Sequence, residues 1–249
     1  MNGIKMFINL LFCLFGLLAL VPLSSSTTDL VSNQTFSEDE HGNHFVHLGG
    51  HKLKVVDLRV SGEYSPGGPT YDLTGSSIQT VFQKVKQSPY YNESAWLNHT
   101  MPRKRSLHKR AKQIYTCQRL LGTNPIAIKP DDVQPAIDYL RTKQMARAYC
   151  YAASNTCTVL ACHNLASVVL CSWRKDTVRI YCGDVAGPIA QHLKDTMVRD
   201  KSSAIRNIEF WQPCTGDPGP TWFSGLSFWD EDPTWSIHIY RVPGAKCKA

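Results

Sequence analysis

Residues 157–193, CTVLACHNLASVVLCSWRKDTVRIYCGDVAGPIAQHL, decide the fold. Residues 157–162 and 167–173 read as two strands, and residues 177–181 alternate their apolar positions with the strand period. The period then changes. Val185, Ile189, Leu193 and Met197 recur four apart, the spacing of one helix face, and Asp184 stands where a carboxylate can cap the first amides.

Outward from this run the same alternation continues. On the N-terminal side, Asp131-Asp132-Val133-Gln134-Pro135 predicts a helix start, with acids at the positive end and a proline in the first turn. Val133, Ile137 and Leu140 give it a face to pack on a sheet, and residues 147–151 read as a strand. On the C-terminal side, Leu226 and Phe228 lead into the turn Asp230-Glu231-Asp232-Pro233. Trp235, Ile237 and Ile239 alternate on the return, predicting a hairpin. The expected class is α+β: a compact, disulfide-stabilised sandwich, two helices packed on a mainly antiparallel sheet. The acidic turn suggests calcium, but no further ligands follow at a loop spacing, so a solvated turn is expected.

The cysteines are distributed on one side of a dibasic pair. Apart from Cys13, all follow Lys109-Arg110: Cys117, Cys150, Cys157, Cys162, Cys171, Cys182, Cys214 and Cys247. An even set of eight suits disulfides in an oxidising compartment. Lys5, the apolar run 6–23 and the small polar residues 24–28 have the pattern of a removable signal peptide. A membrane anchor fits less well, because Asn9 interrupts the run and no cationic stop-transfer cluster follows. The predicted organisation is a signal peptide at 1–26, a cysteine-free pro-region at 27–110 and a mature cysteine-rich α/β domain at 111–249. The product is expected to be secreted and extracellular, with no membrane span once the signal is removed. The dibasic pairs Lys104-Arg105 and Lys109-Arg110 are candidate sites for a processing protease of the secretory pathway. Three sequons, at Asn33, Asn92 and Asn98, all fall in the pro-region and predict a glycoprotein.

The 139 residues after Arg110 suffice for one domain, and they carry 16 Lys and Arg against 12 Asp and Glu, a net charge of +4. These charges are interspersed, without the basic stripe of a nucleic-acid surface. The pro-region is polar, with two patches of order expected: a strand over 51–60 and a short helix over 78–85. His41, His44, His47 and His51 lie among glycines that break any helix aligning them, so a solvated segment is expected there in place of a metal site.

The run quoted above, with GLSFWDEDPTWSIHIYRV at 225–242, resembles small cysteine-rich secreted effectors of plant-associated fungi. Those proteins look like the virally encoded killer toxins of fungi, and the resemblance covers most of residues 111–249. It implies an α/β sandwich released by a kexin-type protease, which Lys109-Arg110 matches. It also implies activity against a host or competitor, a role in virulence, and no defined enzymatic site. Tyr115-Thr116-Cys117 resembles the Y-x-C opening of ribonuclease-like fungal effectors. That likeness implies an early cysteine paired with one near the C-terminus, here Cys117 with Cys247. The departure is the second helix, since a ribonuclease-like fold places one helix before its sheet.

Catalytic groups are sparse after Arg110. The histidines there are His163, His192 and His238, and a ribonuclease-like site would draw on His238, Glu209 and Arg241. His238 alternates with Ile237 and Ile239 and is expected on the solvent face, and His192 on the exposed side of the second helix. Ser172 and Ser227 lack a histidine signature. Cys157-x4-Cys162 has no second zinc pair, so disulfides are expected in its place. Trp235 is expected in the core and Trp222 at an interface. The expected function is binding of a host or competitor component, with no catalysis, cofactor or metal; a ribonuclease-like secreted enzyme or pseudo-enzyme is the alternative.

Overall fold

Gly49 and Gly50 make a tight turn, at φ values of 52° and 81° that side-chain-bearing residues rarely adopt. They join β2 (His44–Leu48) to β3 (His51–Val56) in a hairpin that β1 (Thr35–Glu38) extends. The computed structural model describes residues 35–100, 113–119, 128–198, 223–229 and 232–241. Its fold is mixed α/β and mostly sheet.

After β3 the chain leaves one sheet for another across the single residue Asp57. The next strands are β4 (Leu58–Glu63) and β5 (Thr70–Gly75), followed by α1 (Ile78–Lys86) and α2 (Glu93–Asn98). β6 (Gln113–Arg119), α3 (Pro130–Leu140) and α4 (Lys143–Ala146) come next. Four strands follow: β7 (Tyr149–Ala152), β8 (Thr156–His163), β9 (Ala166–Ser172) and β10 (Val178–Tyr181). A π-helical turn, Cys182–Ala186, runs into α5 (Gly187–Val198), and β11 (Phe223–Trp229) and β12 (Trp235–Arg241) complete the described chain. The large sheet has the order β1-β2-β3-β8-β9-β12-β11-β6, and the small one β10-β7-β4-β5. Neighbouring strands run antiparallel except β3 and β8, which are parallel.

The strand and helix expectations along 130–241 hold, with shifts at the ends. Val133, Ile137 and Leu140 are buried as the face of α3, and Trp235 is in the core. The second helix begins differently. Its cap position is Tyr181, which makes no side-chain capping bond, in place of Asp184. In the π-helical turn Gly183 lies so close to α4 that an added Cβ would meet the Ala146 amide nitrogen at 2.5 Å.

Residues 35–100, within the predicted pro-region, are not a solvated segment. The predicted strand over 51–60 is present as β3 and the start of β4, and the predicted helix over 78–85 as α1. β1, β2 and β5 are additions that the polar sequence did not signal. Val46, Leu53, Leu58, Val60, Ile78 and Trp96 are each at most 1% exposed. All but Trp96 share two buried clusters with residues that follow Arg110. The larger cluster lies between one face of the large sheet, the small sheet and helices α1, α3 and α5.

The second cluster lies on the other face of the large sheet. Phe36 of β1 meets Tyr240 of β12 edge to face at 5.0 Å, although β2, β3, β8 and β9 lie between them in the sheet. The sheet must therefore coil, bringing β1 over β12. Val46, Leu53, Val169 and the Cys157–Cys171 disulfide fill the coil. His238 belongs to this closed face and is 0% exposed, correcting its expected solvent position.

Two disulfides are defined. Cys157–Cys171 links β8 to β9 at directly paired positions, and Cys150–Cys182 ties β7 to the π-helical turn. Cys162 is also disulfide-bonded, to none of these four. Cys117 with Cys247, like Cys13 and Cys214, cannot be assigned, since these side chains lie outside the described residues. So do the predicted signal peptide, Asn33, both dibasic pairs, Glu209 and Trp222. No helix of the described residues is long and apolar enough to cross a membrane.

Candidate functional site

The small sheet turns Leu58, Val60, Cys150, Ala152, Val178 and Ile180 inward, and the strand period therefore sends their neighbours outward. Strand register sets these neighbours in two rows. Arg179, Tyr151, Arg59 and Thr74 form one, and Tyr181, Tyr149, Ser61 and Asp72 the other. The result is a half-buried aromatic floor carrying exposed cations. The Arg179 guanidinium lies 3.6 Å from the Tyr149 ring centroid and 5.9 Å from that of Tyr151. Arg59 covers Tyr151 at 4.8 Å.

The floor is held rigidly. Tyr149 and Tyr181 pack at 4.3 Å between centroids, and the Tyr149 hydroxyl donates to that of Tyr181. That bond, reinforced by partial burial, raises the Tyr149 pKa above the usual phenol value. The Ser61 and Tyr151 hydroxyls are 2.8 Å apart. Ring stacking fixes the plane of each guanidinium and leaves its N–H edge available.

The two arginines differ in what they can offer. Arg59 is engaged with Asp72 through Nε at 2.8 Å and Nη2 at 2.5 Å. This bidentate bond lowers the Asp72 pKa and raises that of Arg59. Among the described residues, no carboxylate pairs with Arg179, and its side chain is exposed.

Arg179 also flanks a groove of about 520 Å³ along β10, an outer strand of the small sheet. Tyr149, Thr177 and Tyr181 contribute to its lining, with Arg174 and Trp235. Asp232 organises that side. Its carboxylate accepts from Arg174 Nη1 at 3.1 Å, from Trp235 Nε1 at 3.2 Å and from the Thr234 hydroxyl. Arg174 also bonds Asp176 through Nε at 3.0 Å and Nη2 at 3.1 Å, so its charge is more than matched. Asp230 and Glu231 of the acidic turn lie outside the described residues, and Asp232 is a partly exposed hub.

Of the residues expected for ribonuclease chemistry, His238 lies away from this face. His238 is walled into the coil of the large sheet, its Nε2 2.5 Å from Ser236 Oγ and its Nδ1 without a hydrogen-bond partner. Burial pushes its pKa down to about 3, so it is neutral at ordinary pH and unreachable by a phosphodiester. Arg241 is exposed at the end of β12, and Glu209 is outside the described residues. His163 and His192 are half-buried, and Ser172 and Ser227 are buried.

His41, His44, His47 and His51 each have a separate environment. His47 bonds Ser37, His44 and His41 approach Glu38 and Glu40, and His51 stacks on Trp173. Among the described residues, no group of three His, Cys, Asp or Glu converges as a metal site. Asn92 and Asn98 are exposed at the two ends of α2, and the Asn92 side chain caps that helix. No family model, curated protein or solved structure matches the chain.

Sequence reasoning missed the tyrosine–arginine face. Its signal was the period-two spacing of Tyr149 with Tyr151, Arg179 with Tyr181, and Arg59 with Ser61. Each pair is legible alone. Their juxtaposition depends on the pairing of β4 with β7, which also brings the Ser61 and Tyr151 hydroxyls together across 90 residues.

Proposed function

We propose that the chain is a secreted, killer-toxin-like effector precursor that acts by binding a host or competitor component, with the small sheet's outer face as its recognition surface. One observation carries the reading: Arg179 is fixed on the Tyr149 ring, exposed, and without a carboxylate of its own among the described residues. A guanidinium so held is prepared for a carboxylate, because little further freedom is lost on binding. The groove beside it follows an outer strand, which suits an extended segment adding its backbone to a sheet edge. The preferred target is therefore an acidic, extended segment of another protein.

The oxidised cysteine pairs support an oxidising destination. The sandwich arrangement belongs to the same proposal. Two sheets with a shared apolar cluster, and α3 and α5 packed on the large one, support it. The ribonuclease-like alternative gains nothing from His238, for the reasons given above.

The test is a paired capture from host or competitor extract, with wild-type and Arg179→Glu proteins as bait and both also incubated with RNA. The proposal expects a component retained by wild type and lost with the variant, and intact RNA in both. Equal retention by both baits, or RNA cleavage by purified wild type, would overturn it.

A further inference from the structure

The recognition face is divided between the two sides of the candidate cleavage site. Arg59, Ser61 and Asp72 precede Lys109-Arg110, whereas Tyr149, Tyr151, Arg179 and Tyr181 follow it. Neither piece contains the face alone. We infer that the active species after cleavage is a non-covalent two-chain particle, in which the pro-region stays as a structural subunit and completes the binding face. This rests on the processed-precursor reading given above.

The interface is a continuous fold interior. β3 pairs with β8 through Lys54 with Thr156, Val55 with Cys157 and Val56 with Thr158. One residue later the chain enters the other sheet, where Arg59, Val60 and Ser61 pair with Tyr151, Cys150 and Tyr149. Cutting the chain near residue 110 breaks none of these hydrogen bonds. Helix α1 adds side-chain contacts: Gln79 Nε2 donates to the Cys162 carbonyl at 2.9 Å, and Phe82 meets Tyr139 edge to face.

Losing the N-terminal piece would open both sheets. β8 and β7 would each gain a bare edge, and the coil containing Cys157, Val169 and Tyr240 would lose Phe36, Val46 and Leu53. Bare apolar edges of this kind favour association. Retention therefore removes a liability as well as completing the face. No disulfide can tie the pieces together, because residues 27–110 contain no cysteine. The particle is held by pairing and burial alone.

The experiment separates this inference from the processing claim. Residues 101–110 are replaced by the recognition sequence of a site-specific protease, and the secreted, folded chain is cut in vitro. Size-exclusion chromatography and native mass spectrometry then report the assembly. Both pieces are expected to elute together at the position of uncut protein, and to separate in denaturant without reductant. The amides of Lys54, which bonds the Asn155 carbonyl, and of Arg59 and Tyr151 are expected to keep their exchange protection after the cut. Separate elution, or lost protection at those amides, would overturn the inference. Sequencing the N-terminus of unaltered secreted chain tests cleavage itself. An uncut natural chain would reject the precursor reading while the in vitro result still judges whether the pieces hold together.

Discussion

Leu58 is the first residue of the small sheet after the chain leaves the large one, and it is fully buried against groups that follow Arg110. Truncating it to alanine removes apolar contacts and leaves a cavity. A leucine of this kind costs about 3–5 kcal/mol. With a urea slope of about 3 kcal/mol/M for a chain of this size, the midpoint should fall by about 1–1.7 M. Tryptophan fluorescence is the assay of choice, because five of the six tryptophans follow Arg110 and Leu58 precedes it. If both parts form one core, the fluorescence transition must move with the Leu58→Ala change and stay coincident with far-UV circular dichroism. An unmoved fluorescence midpoint beside an altered dichroism transition would refute the shared core.

Other outcomes can be checked on the same material. His238 has a native pKa of about 3, below its ordinary value near 6.5, so the unfolded chain takes up a proton first as pH falls. Its contribution is present above pH 6.5 and lost progressively toward pH 3. His238→Gln should accordingly shrink the stability lost between pH 7 and pH 4.5 by about 2–3 kcal/mol; an unchanged pH dependence in urea titrations would refute its neutral burial. Removing Cys150–Cys182 should destabilise by about 3.7 kcal/mol and removing Cys157–Cys171 by about 3.0, following their sequence separations of 32 and 14. The reverse order in paired Cys→Ala variants would show that strain or packing, not loop closure, dominates. Gly183→Ala would drive a methyl into the backbone of α4 and should cost about 1–3 kcal/mol; an unchanged melting temperature would contradict the close approach.

The residues that announced themselves were those with a local period. α3 was legible from Val133, Ile137 and Leu140, and α5 from Ile189 and Leu193, because one face of each is apolar and packs as spacing dictates. β8 and β9 carried a further message in their sequence. Residues 157–162 and 166–172 are buried on both faces, so neither strand has a solvent side. Such strands need a layer on each side, and the segment 35–100 supplies part of both. Its polar composition obscured this, since β3 buries only Leu53 fully and β5 is half exposed. His238 was misplaced by the same rule that placed Ile237. Alternation says that the two faces differ, but only the coil of the sheet decides that the second face is also dry.

The most direct measurement of the binding claim is a dose–response of purified chain on plant cells and on competing fungi. Wild type is compared with Arg179→Glu and with Asp176→Ala, a change near the groove that leaves the stacked arginine intact. The account predicts that Arg179→Glu loses about thirtyfold in potency, the equivalent of ~2 kcal/mol for a hot-spot arginine, at unchanged melting temperature. Asp176→Ala should stay close to wild type. Equal potency of wild type and Arg179→Glu, with both proteins folded, would contradict it.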